Sequence, residues 1–333
     1  MRRREFIIFL GGAAAWPLVA RAQQPKMPVI GFLHIGTADA FTNNALATFR
    51  RGLQEAGYVE GQNVIIEYRF AENKGDRLPE LAADLVRHQV AVIFELAGGA
   101  ITALAAKAAT STIPIVLAFG SDPVKLGLAA SLNRPGGNIT GVTFFTTELV
   151  SKRFELLCEL LPQAKLIAYL RTGPLLSTAV AEQMTGDALA TARALGRQVL
   201  VLKVDKAQEL DAAFSTLVNE HADALVIGSS PFFDITGIND QLAALSLRNA
   251  VPAIYQQRAF PAAGGLMSYG ASFDEGFRQA GIYTGRILKG ERPADLPFQQ
   301  STKVQLIINL KTAKALGITI PPTLLARSDE LIE

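Results

Sequence analysis

The chain has 333 residues, 49% of them hydrophobic, with 32 Lys and Arg against 30 Asp and Glu. The first 22 residues hold a net charge of +3, so subtracting it from the formal +2 of the chain leaves about −1 for the remainder. This near-neutral remainder excludes the basic face of a nucleic-acid-binding protein, and its length accommodates two domains.

The N-terminus has the three parts of an export signal. Arg2–Arg4 are followed by the uncharged, mostly apolar run Phe6–Leu18, and an A-x-A sequence ends at Ala22. The run is shorter than the roughly 20 residues of a spanning helix, so we expect cleavage before Gln23 and export to the periplasm. Residues 3–7 also match the twin-arginine pattern, although a general secretory signal can begin with arginines too.

From Val29 onward, apolar runs alternate with segments of helical period. The predicted strands are Val29–His34, Val64–Phe70, Val90–Glu95, Ile113–Ala118, Ile139–Phe144, Leu166–Leu170, Val199–Val204, Ala224–Ile227 and Ala253–Tyr255. The predicted helices are Thr42–Gly57, Leu78–Arg87, Ile101–Ala109, Leu149–Leu161, Ala179–Leu195, Leu210–Asn219 and Ile238–Arg248. This alternation favours α/β architecture, with parallel sheets covered by helices on both faces.

The alternation forms two series, separated by the Gly- and Thr-rich stretch NRPGGNITGVTFFTTE at 133–148. We therefore predict two doubly wound, Rossmann-like lobes joined by a hinge. Met267–Tyr269 and the helix Phe273–Leu288 are interpreted as a return to the first lobe. The strand and short helix in TKVQLIINLKTAKALGI then belong to the second lobe. The predicted lobes are 27–145 plus 264–298, and 146–263 plus 299–333.

The loops after these strands lack the motifs of catalysis. The sequence contains no G-x-G-x-x-G, G-x-x-x-x-G-K-[ST] or G-x-S-x-G, and no H-x-x-H or C-x-x-C pair. Of the three histidines, only His34 follows a strand toward the expected cleft. The one cysteine, Cys158, falls on the apolar face of a predicted helix, as a small core residue does. We expect no enzyme activity, no cofactor and no metal.

Several motifs resemble a known family. The span AAKAATSTIPIVLAFGSDPVKLGLAASLNRPGGNITGV, with GYVEGQNVIIEYRFAE, DRLPELAADLV, GGLMSYGASF and LIINLKTAKALGI, is similar to substrate-binding proteins of ABC importers of the tryptophan/tyrosine-binding type. The resemblance covers essentially all of the chain after the signal. It implies the type I periplasmic binding protein fold, a ligand enclosed between two lobes and no catalysis. It also implies a monomer that delivers its ligand to an ABC permease at the inner membrane.

In open α/β sheets, ligands bind beyond the carboxyl ends of the strands, so the candidate binding residues lie there. They are His34, Phe41, Gly98, Gly99, Thr102, Ser121, Asp122, Phe144, Arg171, Ser229, Ser230, Phe232, Tyr255, Arg258 and Tyr269. The aromatic residues suit a planar ligand such as an aromatic amino acid or another aromatic carboxylate. Arg171 and Arg258 could each bind a ligand carboxylate or form a salt bridge between the lobes. Asp122 fits the role of a turn or helix-cap residue better than that of a general base.

Three other functions fit parts of the pattern. A sensory protein that reports its ligand to a membrane receptor would have the same fold. An exported α/β enzyme would need a nucleophile, base or cofactor loop that the sequence lacks. The core of a transcription factor is disfavoured by the export signal and by the lack of an N-terminal helix-turn-helix. The loops LRTGPLLST and FFDITGIND depart from the family pattern, so the resemblance does not fix the ligand.

Overall fold

The computed structural model describes residues 27–96, 99–173, 175–176, 178–235, 237–301 and 303–333. The predicted export signal at 1–22 and the candidate Gly98 lie outside these residues. No helix of the described part has the length and apolar character needed to cross a membrane.

The described chain alternates strands and helices, as its apolar pattern predicts. The strands are β1 (Val29–His34), β2 (Ile65–Phe70), β3 (Val92–Leu96), β4 (Ile115–Phe119), β5 (Ile139–Thr143), β6 (Leu166–Arg171), β7 (Gln198–Lys203), β8 (Ala224–Ile227), β9 (Ala253–Tyr255), β10 (Met267–Ala271), β11 (Gln299–Gln300), β12 (Val304–Asn309) and β13 (Glu330–Ile332). The helices are α1 (Ala40–Glu55), α2 (Leu78–Arg87), α3 (Gly99–Ala109), α4 (Val150–Leu160), α5 (Thr178–Ala194), α6 (Leu210–Asn219), α7 (Ile238–Arg248), α8 (Ala259–Ala262), α9 (Phe273–Leu288), α10 (Leu310–Ala315) and α11 (Pro322–Arg327). Three short 3₁₀ turns occupy Gly75–Arg77, Ala207–Glu209 and Pro293–Asp295.

Two sheets organise these strands. The first has the order β11-β5-β4-β3-β1-β2 and is parallel throughout. The second has the order β13-β12-β10-β9-β8-β6-β7, and its antiparallel pair is β10 with β12. The strand β3 is buried at every position, because helices cover both faces of a parallel sheet. The architecture is the predicted α/β fold with two lobes.

The routing between the lobes differs from the prediction in two places. Met267–Tyr269 was assigned to the first lobe, but β10 pairs with β9 and β12 in the second sheet. Gln299–Gln300 was assigned to the second lobe, but β11 pairs with β5 in the first sheet. Both assignments are wrong because the pairing of these strands depends on partners distant in the sequence, which the local pattern of apolar residues does not encode. We propose lobe boundaries of 27–145 plus 272–301, and 146–271 plus 302–333.

The chain therefore crosses between the sheets three times, after β5, after β10 and after β11. The helix α9 returns to the first lobe and packs lengthwise against α1 over the first sheet. Phe49 of α1 stacks on Phe94 of β3, with ring centroids 3.9 Å apart. In the second lobe, α4 covers the sheet, and its Cys158 is buried in the core, as predicted.

Candidate functional site

A cavity lies between the carboxyl ends of the strands of both sheets. Its empty volume is about 440 Å³, including open space at its mouth. The residues that line it are Phe41, Gly99, Gly120, Ser121, Phe144, Thr146, Thr147, Leu176, Ser229, Ser230, Pro231, Asp234, Gln256 and Phe273. The fold thus brings loops from both lobes to one site, where open α/β sheets bind their ligands.

Three phenylalanines form one wall of the cavity. Phe144 meets Phe273 edge to face, with ring centroids 4.6 Å apart. Phe41 meets Phe273 in the same manner at 6.2 Å, and the buried Phe277 packs behind all three rings. Because aromatic edges and faces prefer such contacts, this wall suits a planar apolar group.

A carboxylate from the other lobe reaches the cavity. Asp234 accepts a hydrogen bond from the Tyr255 hydroxyl at 2.5 Å and one from the Gln256 amide at 3.3 Å. Burial raises the pKa of Asp234 to about 7, while the hydrogen bonds from Tyr255 and Gln256 oppose the rise. A carboxylate with so much of its solvation removed gains strongly from a cationic partner.

A buried arginine lies behind the polar side of the cavity. Arg153 of α4 is fully buried, and its guanidinium donates to the carbonyl of Thr146 at 3.0 Å and to Ser229 Oγ at 2.7 Å. It also donates to the carbonyl of Tyr269 at 3.3 Å. No carboxylate forms an ion pair with it in the part of the chain that the structure describes. Burial lowers the pKa of Arg153 to about 10, so the side chain is still a cation at neutral pH.

These hydrogen bonds join the three regions that meet at the hinge. Thr146 lies on the first crossing, Ser229 follows β8, and Tyr269 belongs to β10 just before the second crossing. The Ser229 hydroxyl in turn donates to the Thr146 carbonyl at 2.9 Å. Arg153 is thus a positioning residue for two residues of the cavity wall.

The lobes are in contact across the cavity. Gly99 begins α3 with φ of +70°, and a Cβ placed there would stand 3.3 Å from Cγ of Pro231 and 3.6 Å from the Leu175 carbonyl. Gly120 also allows a close approach, because a Cβ there would come within 2.2 Å of Thr146 Oγ1. The site therefore relies on glycine at both loops of the first lobe.

Six of the residues selected from the sequence line the cavity, namely Phe41, Gly99, Ser121, Phe144, Ser229 and Ser230. Others lie behind it. Thr102, Phe232 and Tyr255 are buried, and Tyr255 acts through its hydrogen bond to Asp234. Tyr269 contributes its carbonyl to Arg153.

The remaining selected residues serve other contacts. His34 is buried, its Nδ1 donates to the Leu96 carbonyl at 2.7 Å, and burial lowers its pKa to about 4. It borders a small side cavity that also contacts Asp234. Asp122 accepts from the backbone N–H of Val124 at 2.8 Å and so caps a turn, as preferred above.

Neither selected arginine lines the main cavity. Arg171 donates to Thr185 Oγ1 at 3.2 Å and borders a separate small cavity of the second lobe. Arg258 pairs with Glu330 through two hydrogen bonds, at 2.8 and 2.5 Å. Since β13 and β9 belong to one sheet, the interlobe alternative is wrong for Arg258.

The sequence interpretation missed Asp234, Gln256 and Phe273, among others. Gln256 directly follows the buried β9, and a polar residue at that point was a usable signal. Asp234 lies four residues after Ser230, in a loop whose path the sequence does not show. Phe273 follows β10, which had been placed in the wrong sheet.

The sequence profile of the family described as ABC transporter substrate binding protein matches residues 37–332. The chain belongs to this family. A tyrosine-binding protein from Clostridioides difficile (strain R20291) is 26% identical over 277 residues, which are 81% of this chain and 75% of that protein. This substrate-binding protein also resembles solved structures.

A conserved domain protein from Vibrio cholerae superposes with a TM-score of 0.82 at 25% identity, covering 92% of this chain and all of that one. An ABC domain in complex with L-Trp from Streptococcus pneumonia gives 0.80 at 23% identity, with the same coverage. A ligand-free, open substrate-binding protein from Clostridium difficile gives 0.65 at 24% identity, covering 92% of this chain and 99% of that one. The fold is that of type I periplasmic binding proteins.

Proposed function

We propose that this substrate-binding protein captures an aromatic amino acid, or a related aromatic carboxylate, between its lobes and delivers it to an ABC permease. On this proposal the chain is exported to the periplasm, loses its signal after Ala22 and acts there as a monomer. The permease lies in the inner membrane. The names of the tyrosine-binding relative and of the L-Trp complex support an aromatic amino acid as ligand.

One observation carries the ligand assignment: an aromatic wall and a desolvated carboxylate border the same cavity. The wall of Phe41, Phe144 and Phe273 fits the ligand's ring. Asp234 fits its ammonium group, since a partly buried carboxylate with a raised pKa gains from a charge-assisted hydrogen bond. A ligand with both groups satisfies both sides of the cavity at once.

The ligand's carboxylate has donors on the first lobe. Ser121 and the N-terminal turn of α3, which begins at Gly99, border the cavity. Backbone N–H groups at a helix N-terminus hold an anion well. The ligand's two charges thus separate toward opposite lobes.

This division explains how binding and closure are coupled. Asp234 and Ser229 belong to the second lobe, whereas Ser121, Gly99 and Phe41 belong to the first. Only the closed arrangement offers all of these groups together. The ligand therefore shifts the open–closed equilibrium by its extra affinity for the closed form.

Fluorescence of the ligand tests the proposal directly. The only tryptophan of the sequence is Trp16, in the predicted signal, so the form beginning at Gln23 has none. When tryptophan is excited selectively, all of the fluorescence therefore comes from the added L-tryptophan. We expect saturable enhancement with a blue shift as its indole enters the cavity, and displacement by L-tyrosine and L-phenylalanine. Absence of any change with all three amino acids would refute the ligand assignment.

Delivery needs a separate test. A permease and an ATPase encoded beside this chain's gene would favour import, and such a pair would be the one to test. Reconstituted together in vesicles, they should hydrolyse ATP faster when the ligand-loaded protein is added. A protein that binds ligand but leaves ATP hydrolysis and uptake unchanged would favour the sensory alternative.

A further inference from the structure

A second cavity adjoins the main one on the hinge side. Its empty volume is about 770 Å³, against about 440 Å³ for the main cavity. The two share Phe41, Gln256 and Phe273 as lining residues, so they are neighbouring cavities that meet at these side chains. Both lobes form its walls, with α1 and α9 on one side and β10, β12 and residues 256–259 after β9 on the other. We call it the annex.

The annex wall holds two buried amide side chains with unsatisfied atoms. Gln256 and Gln257 are 5% and 6% exposed. Among the residues that the structure describes, Gln256 Oε1 and Gln257 Nε2 have no hydrogen-bond partner. A buried polar atom without a partner is costly, so adjacent unsatisfied groups in a cavity wall are unusual in a merely structural region.

The orientation of Gln256 is determined by its neighbours. Its nitrogen donates to both oxygens of Asp234 at 3.3 Å, so its oxygen is the group left to accept a hydrogen bond. Gln257 offers an amide nitrogen as donor. Both side chains line the annex. Together they match a ligand group that both donates and accepts.

The chemistry of the annex favours a neutral group. Arg258 borders it, but Glu330 already holds that guanidinium through two hydrogen bonds. Asp274 also lines the annex and disfavours an anion. The remaining polar surface comes from amides and hydroxyls, including Asn44, Ser268 and Gln305. A hydroxyl or carboxamide fits this surface without the desolvation cost of a charge.

We infer that the annex is a subsite for the far end of the ligand, and that the ligand is an aromatic amino acid whose ring bears a neutral donor–acceptor group such as a carboxamide. The inference rests on the proposed function, because the ring must enter from the main cavity. It extends that function by making the ligand longer than an unsubstituted aromatic amino acid. The annex offers room for such an extension beside the main cavity.

Calorimetry with a matched pair of ligands tests the inference. L-phenylalanine and 4-carbamoyl-L-phenylalanine differ only in the distal carboxamide. A site built to hydrogen-bond a group rejects the analogue that lacks it, so the carbamoyl compound should bind the purified protein at least about tenfold more tightly. In Gln257→Leu that advantage should fall to about threefold or less, while the affinity for L-phenylalanine is unchanged.

A second variant covers the case in which Gln257→Leu does not fold. Ala259 is an exposed residue of α8 that borders the annex. Ala259→Met should narrow the annex and weaken the carbamoyl compound selectively. Ala262→Met, on the same short helix but outside the annex, should leave both ligands unaffected.

Each outcome decides a different claim. If L-phenylalanine binds and the carbamoyl compound binds no better, the annex inference is wrong and the proposed function stands. If the variants weaken both ligands equally, the annex is not a selective subsite. If neither ligand binds the wild-type protein, the annex inference fails, and titration with L-tryptophan and L-tyrosine decides whether the proposed function fails with it.

Discussion

Gly99 and Pro231 belong to different lobes, yet a Cβ on Gly99 would stand only 3.3 Å from Cγ of Pro231. The contact exists because Gly99 opens α3 after β3 and Pro231 follows β8 in the facing loop. Closure of the lobes over the cavity thus depends on the absence of a side chain at one position. A side chain at position 99 would therefore change both the closure of the lobes and the affinity for the ligand.

Gly99→Val should weaken ligand binding by at least about tenfold, because its side chain would hold the lobes apart and the ligand needs groups from both lobes. It also costs stability, since valine resists a φ of +70°. Small-angle scattering with and without ligand would show less compaction than in the wild type.

Gly61→Val separates the two effects. Gly61 also has positive φ, at +78°, but a Cβ there would meet nothing within 4 Å. We expect a similar loss of stability with unchanged ligand affinity. Equal loss of affinity in both variants would mean that backbone strain, not the contact with Pro231, explains the result.

Asp234→Asn should weaken an aromatic amino acid by about 1.5–3 kcal/mol, the range for hydrogen bonds to charged groups. Asparagine keeps the shape and still accepts from Tyr255, so the loss isolates the ammonium contact. Titration calorimetry measures it. Asp240→Asn on the exposed start of α7 is the control and should bind as the wild type does. A ligand that lacks the ammonium group should not distinguish Asp234→Asn from wild type.

Affinity should fall at low pH. The pKa of Asp234 is about 7 without ligand, and an ammonium group binds only the ionised form. Binding at pH 6 should thus be about tenfold weaker than at pH 8, and binding near pH 7 should release a proton. The Asp234→Asn variant should lose this dependence. A flat profile in the wild type would contradict the assigned role.

The raised pKa of Asp234 makes the free energy of unfolding depend on pH in the opposite direction to ligand affinity. Because the folded pKa of Asp234 lies above its ordinary value of 3.8, folding favours the protonated form. Its contribution to the free energy of unfolding is present below about pH 4 and is lost as the pH rises through about 7. Asp234→Asn should flatten this part of the stability profile in chemical denaturation.

Arg153→Met should lower the free energy of unfolding by at least about 3 kcal/mol. The change removes three hydrogen bonds from the guanidinium, to the Thr146 and Tyr269 carbonyls and to Ser229 Oγ, and a hydrogen bond to a charged group contributes about 1.5–3 kcal/mol. Chemical denaturation measures the loss. Arg193→Met, an exposed site on α5, should be nearly neutral. A loss below about 1 kcal/mol would show that Arg153 does not hold the hinge together.

The local elements of this fold could be predicted because their signals are local. The helices α2, α6, α7 and α9 have the bounds predicted from periodicity and cap residues. Buried strands such as β1 and β8 also have their predicted bounds, since apolar runs of four to six residues stand out between polar loops. The two-lobe architecture followed from that order.

The pairing of edge strands could not be predicted in this way. The strand β11 has two residues, and the placement of β10 beside β12 depends on an antiparallel contact made later in the chain. The site shows the same limit. Phe41 and Ser229 were predicted because they follow strands, whereas Arg153 was not predicted because it lies within an amphipathic helix. Its role comes from burial with no ion pair to any residue that the structure describes, and burial is a tertiary property.

Calorimetric titration of the purified protein with L-tryptophan, L-tyrosine and L-phenylalanine tests the central claim most directly, with L-alanine and 3-phenylpropanoate as partial ligands. The account predicts saturable binding of at least one aromatic amino acid at one site per chain, with a negative heat-capacity change from apolar burial. L-alanine lacks the ring and 3-phenylpropanoate lacks the ammonium, so each should bind at least about tenfold more weakly than the best aromatic amino acid. Absence of binding by all three aromatic amino acids, or equal affinity for L-alanine, would contradict it.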